Sequence, residues 1–142
     1  LNYIKNVRRK ESIGNLLQSR PYLDKIYSQM VKTDYVLDAQ SLKSLASALS
    51  LSGAYTKIDT AEKLNYLTMK TLNASIIPDK SVFAVTCKAW LLASNMNSSY
   101  SLKQSSLLVS QMASKGIRPS LSCMKSVFSI LMKVNKGFEF LM

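Results

Sequence analysis

Gln111-Met112-Ala113-Ser114-Lys115-Gly116-Ile117-Arg118-Pro119-Ser120 reads as the last turn of one helix, a stop, and the opening of the next element. Gly116 takes the left-handed conformation that ends a helix without a Cβ clash, and Lys115 sits where a helix C-terminus favours a cation. Pro119 has no N–H to donate, so it suits a first helical turn and not a helix interior. Upstream, Asn73-Ala74-Ser75-Ile76-Ile77-Pro78-Asp79 carries the same punctuation, with Ser75 in the place of the glycine.

Apolar spacing places helices around these junctions. Leu23, Ile26 and Met30 share a face at steps of three and four, which predicts a helix over 22–33. Asp38 can cap the following helix, whose stripe is Leu42, Leu45, Ala46, Leu49 and Leu51. A break at Ser52-Gly53-Ala54 precedes a helix capped by Asp59 or Thr60, with Ala61, Leu64, Leu67 and Met69 on its face. Beyond Asp79 the stripe is Val82, Phe83, Val85, Ala89, Trp90, Leu92 and Ala93, followed by a helix over 101–114 with Leu102, Leu108, Val109 and Met112. After Pro119 come Leu121, Met124, Val127, Phe128, Leu131 and Val134; Lys136-Gly137 stops that helix, and 138–142 begins another. At the N-terminal end, 12–19 has the pattern of a short helix behind a basic cluster of Lys5, Arg8, Arg9 and Lys10. That cluster reads either as a flexible charged end or as a phosphate contact.

Asp38 and Asp79 are 41 residues apart, and so are Pro78 and Pro119. Met30, Thr71 and Met112 keep the same interval, each eight residues before Asp38, Asp79 or Ser120. Helix pairs recurring at a period of this size predict an all-α fold, an α-solenoid in which each pair buries its apolar face on its neighbours. The predicted organisation is a partial unit at 1–38, units at 39–79 and 80–120, and a partial unit at 121–142.

The wording Met112-x-x-x-Gly116-Ile117-x-Pro119 before a helix resembles the junction between two pentatricopeptide repeats, and Ile76-Ile77-Pro78-Asp79 is similar to it. The resemblance implies a right-handed α-solenoid of stacked helix-turn-helix repeats. That family's unit is about 35 residues, close to the tetratricopeptide length, so the extra residues here are expected in the loops at 52–60 and 94–101. A HEAT-like array fits the period better and the junction wording less well, and a non-repetitive helical bundle is the remaining alternative.

Charge narrows the partners. The chain has 19 Lys+Arg against 8 Asp+Glu, a formal charge of +11, and residues 80–138 contain eight basic side chains and no acidic one. This half cannot neutralise itself with internal ion pairs, so it attracts polyanions, nucleic acid first and acidic membrane second. The alternative is a charged face that serves solubility alone.

Other chemistries find little here. The chain has no histidine, and its two cysteines, Cys87 and Cys123, lie far apart in apolar helical stretches, so they read as core side chains and not as metal ligands. No cofactor box is visible. Without histidine the candidate bases are Asp34, Asp38, Asp59, Glu62 and Asp79, at cap or surface places, which argues against an enzyme and leaves no catalytic residue to name. No apolar run approaches the roughly 20 residues of a transmembrane helix. The chain begins without Met or an apolar leader and reads as an excised piece whose targeting segment would lie elsewhere. A solenoid piece ending within a unit is expected to expose an apolar end and to self-associate.

What the pentatricopeptide resemblance implies for function is binding of single-stranded RNA along the first helix of each unit, one base per repeat. Carried over by place, the base-facing residues are the fifth and last of each unit: Lys43 with Asp79, Ala84 with Ser120, and Lys125 in the last partial unit. The second residues, Gln40, Ser81 and Ser122, flank the bases. Of the paired positions only Asp79 and Ser120 suit base reading, and the side chain of Ala84 makes no hydrogen bond, so backbone binding with loosely held bases is expected. Lys80, Lys88 and Arg118, with Lys43 and Lys125, are the candidate phosphate contacts. The resemblance also implies a mitochondrial RNA-processing, stability or translation factor; the alternative is a protein scaffold docked on a mitochondrial ribosome or another complex.

Overall fold

The computed structural model describes residues 20–141, with side chains as far as Lys136. The expected helix over 12–19 and the basic cluster before it lie outside the described residues. Six helices and no strand occupy the described residues: α1 (Arg20–Lys32), α2 (Ala39–Ser52), α3 (Lys57–Asn73), α4 (Lys80–Ala93), α5 (Ser98–Ser114) and α6 (Leu121–Leu141).

The bounds repeat to the residue. Adding 41 to both ends of α2 gives α4, adding 41 to both ends of α3 gives α5, and α6 starts 41 residues after α4. Local chemistry repeats with them. Asp38 and Asp79 cap α2 and α4, accepting from the backbone N–H groups of Ser41 and Ser81 at 2.7 and 2.9 Å. The Ser120 hydroxyl accepts from the Cys123 N–H at 3.2 Å at the head of α6. At the tails of α3 and α5, Ser75 (φ +64°) and Gly116 (φ +73°) both turn left-handed. There the Ile76 and Ile117 N–H groups reach back five residues to the Thr71 and Met112 carbonyls at 3.1 and 2.9 Å. These bonds satisfy carbonyls that a helix end otherwise leaves open.

Four sequence expectations shift. α3 and α5 start earlier than expected, because Thr56 and Asn97 cap them by accepting from the Asp59 and Tyr100 N–H groups. The linkers within pairs are therefore only the four residues 53–56 and 94–97. The length beyond a 35-residue unit lies in the helices, of 14 and 17 residues, and not in the loops. Pro119 stands one residue before the cap of α6, outside the first turn, and α6 runs through Gly137 to Leu141 without the expected stop.

Neighbouring helices pack in a regular order: α2 on α3, α4 on α5, α2 on α4, α4 on α6, α3 on α5, and each second helix on the next first helix. One apolar cluster joins Leu23 and Met30 of α1 to Leu42, Ala46 and Leu49 of α2, Leu64 and Leu67 of α3, and Trp90 of α4. A second joins Leu72, Phe83, Cys87, Leu108, Met112 and Cys123. Cys87 and Cys123, 36 residues apart in sequence, are neighbours in that cluster, and the hydrogen bond between them together with burial pushes the Cys87 thiol up. A thiol held protonated among apolar side chains is a packing group. Between the clusters the Thr68 and Thr86 hydroxyls meet at 3.3 Å, each also bonded to its own helix, so the buried polar pair is satisfied.

α1 is held to α3 by charge on aromatic and carbonyl groups. The Lys63 ammonium lies over the Tyr27 and Tyr55 rings at 4.6 and 4.7 Å, and Lys70 donates to the Met30 and Thr33 carbonyls at the end of α1. Such cations over rings contribute on the order of 1 kcal/mol each. Ile26, expected on the buried face of this helix, is exposed. No helix among the described residues is long and apolar enough to cross a membrane.

Candidate nucleic-acid interface

The first helices α2, α4 and α6 carry most of the residues expected to face RNA, and the fold brings several of them together. Lys43 of α2 and Asp79 at the head of α4 approach to 3.9 Å, both about half exposed. The Asp79 carboxylate accepts the Ser81 hydroxyl at 2.7 Å and the Ser81 N–H on the same oxygen, Oδ1. These bonds, more than the nearby lysines, hold its carboxyl below the usual carboxylate value, so it stays ionised at neutral pH. Oδ2 faces Lys43 and keeps lone pairs for an outside donor. Ser81 is thus the partner of Asp79 and exposed at the same point, while Gln40 is exposed on the first turn of α2.

At the next junction, Lys80, Arg118 and Ser120 line a pocket of ≈ 270 Å³ whose floor is Phe83, Met112 and Cys123. Ser120 accepts a backbone N–H there, and its own hydroxyl proton remains free to donate. Its expected pair member Ala84 is half-buried and packs against the second apolar cluster, so its contribution is a methyl surface and nothing polar.

A groove of ≈ 460 Å³ runs between α4 and α6, lined by Lys88, Leu91, Leu121, Ser122, Lys125, Ser126 and Ser129. Lys88, Ser122 and Lys125 were expected here, from three different places in the repeat. Leu91, Ser126 and Ser129 were not, although Ser129 stands 41 residues after Lys88 and the period alone points to it. On the other side of α4, Lys88 lines a groove of ≈ 360 Å³ with Lys57, Tyr55 and Leu92. Lys57 carries no signal in the sequence, since its facing Lys88 depends on how α3 meets α4.

No acidic side chain among the described residues lines these grooves. Asp38 is a helix cap and Glu62 accepts the Tyr100 hydroxyl at 2.8 Å. Among the described residues no three His, Cys, Asp or Glu side chains converge as a metal site would require. What the surface offers is two cations per groove, hydroxyl groups and apolar lining. Cations and hydroxyl donors are the kinds of group that can meet phosphate oxygens and base edges. No protein-family model, no curated protein and no solved structure matches the chain.

Proposed function

We propose that this chain is a single-stranded-RNA-binding module, an α-solenoid of helix pairs whose first helices α2, α4 and α6 line the binding face. The observation that carries the reading is the Lys43–Asp79 approach of 3.9 Å: the fifth and last residues of one 41-residue unit meet at the surface, as the pentatricopeptide resemblance implies. The regular packing of α2 on α4 on α6 supports the solenoid, since it puts equivalent positions at regular spacing along one side. Lys80, Lys88, Arg118 and Lys125 contact phosphates, while Asp79 and Ser120 offer base-edge partners and Ala84 offers none. Binding is therefore driven by the backbone, with weak preference among bases. The module binds and does not catalyse. By the same resemblance it belongs to a mitochondrial factor that processes, stabilises or helps translate RNA.

A second reading, a scaffold that docks on a ribosome or another complex, is favoured by one observation: Phe128, Leu131 and Met132 of α6 are exposed together. Competition among single-stranded RNA, duplex RNA and single-stranded DNA of equal length separates the readings. The proposal expects single-stranded RNA to win and Lys43→Ala with Lys125→Ala to weaken it. Equal binding of all three would leave only a basic surface, and no binding would favour the scaffold.

A further inference from the structure

α6 exposes an apolar face whose counterpart is covered elsewhere in the same molecule. In the 41-residue register Leu42, Phe83 and Met124 are equivalent, as are Ala46, Cys87 and Phe128, and Leu49, Trp90 and Leu131. The six members on α2 and α4 are buried to 2% exposure or less among the helices packed around them. On α6, Phe128 is 55% and Leu131 39% exposed. The register also says what covers such a face. α2 is covered in part by α4, which enters behind Asp79, lays Val82, Val85 and Ala89 into the shared cluster, and sets its cap carboxylate 3.9 Å from Lys43. Lys125 is the equivalent of Lys43 on α6 and is exposed.

We propose that α6 is a docking surface for an amphipathic helix that begins at an aspartate cap, its apolar side covering Phe128 and Leu131 and its cap carboxylate pairing with Lys125. Charge favours such a partner over a second copy of this chain. Up to residue 136 the exposed charges of α6 are Lys125 and Lys136 with no acid among them, since Lys133 is turned onto Ser94 and Asn95, so two α6 faces brought together would oppose like charges. Nor does the exposed side of α2 suit α6 in a head-to-tail pair. The α2 counterparts of the buried Val82 and Ile130 are Ser41 and Ala48, exposed and nearly featureless. This inference stands independently of RNA binding.

The probe is a labelled synthetic helix that keeps Asp79 and the Val82, Val85, Ala89 and Ala93 stripe of α4, with glutamine elsewhere, titrated with the whole chain in the absence of nucleic acid. Saturable binding is expected, weakened at least about tenfold by Phe128→Ser with Leu131→Ser, which remove exposed side chains and leave the helical circular dichroism unchanged. A probe with lysine in place of the aspartate binds less well, and Lys125→Asp in the chain restores it. No binding, or binding indifferent to the double substitution, overturns the proposal. So does a failure of the charge exchange to restore affinity, or a dimer of the chain that the double substitution abolishes, which would make a second copy the occupant.

Discussion

α4 and α6 start at the same point of the same register, behind caps that work alike, and carry large apolar side chains at matching places. Trp90 on α4 is 1% exposed and hydrogen-bonds Asn65 at 3.2 Å, with Tyr100 edge-on at 5.7 Å; its counterpart Leu131 is 39% exposed. The helix pattern is equal in the two, and the burial is not. An amphipathic stripe therefore marks which face of a helix wants cover. Whether the cover exists depends on the helices packed next to it, and among the described helices α4 packs between α2 and α6 where α6 packs on α4 and α5.

The sharpest test of that contrast is paired truncation. Trp90→Ala should cost about 3–5 kcal/mol, because it empties a fully packed site, while Leu131→Ala should cost less than about 1 kcal/mol. Urea or thermal unfolding measures both, and equal costs would mean that the α6 face is covered after all.

A smaller effect tests whether the two junctions are one device. Ser75 and Gly116 hold the same left-handed turn, but only Ser75 bears a Cβ strained there. Gly116→Ala should destabilise by about 1–2 kcal/mol and Ser75→Gly should stabilise by up to about 1 kcal/mol. Since a Cβ at Gly116 meets nothing within 4 Å, any cost there is conformational and not steric. Opposite signs in thermal melts support the equivalence, and equal signs break it.

The smallest effect is the pH response of the caps. The carboxyls of Asp38 and Asp79 are depressed, for Asp38 chiefly by the Ser41 N–H and for Asp79 chiefly by the Ser81 hydroxyl. A depressed folded value means that their stabilisation is present above the ordinary carboxylate value, near pH 4, and is lost as pH falls through the folded one. Asp79→Asn should flatten the acid side of a stability–pH profile and leave neutral pH almost unchanged, since asparagine also caps.

Much of this architecture is legible in the sequence. The Lys115-Gly116 stop, the Asp38 cap and the 41-residue interval between Asp38 and Asp79 all rest on local chemistry, which a sequence states directly. The head of α3 stands a few residues earlier than expected because Asp59 competes with Thr56 as a cap, and that of α5 because Asn97, within a polar run read as loop, is its cap. The Thr56-x-x-Asp59 spacing, a threonine accepting from the N–H three residues on, was the signal that resolves it. The α6 stripe is legible too, but periodicity alone does not say which of its side chains, here Phe128 and Leu131, stand without a neighbour. At the candidate site, Lys43 and Asp79 were legible as a pair through the repeat, and Ser129 through the interval from Lys88. Lys57 was not, since its sharing a groove with Lys88 depends on how α3 packs on α4.

The most direct test of the RNA reading compares cations inside and outside the line of first helices. Affinity for one short single-stranded RNA would be measured at several salt concentrations for Lys88→Ala with Lys125→Ala, and for Lys103→Ala with Lys115→Ala, which remove equal charge from α5 and its tail. If RNA lies along α2, α4 and α6, the first pair weakens binding and lowers the salt slope by about two phosphate contacts, and the second pair leaves both nearly unchanged. Equal losses from the two pairs would contradict the account and reduce the surface to its net charge.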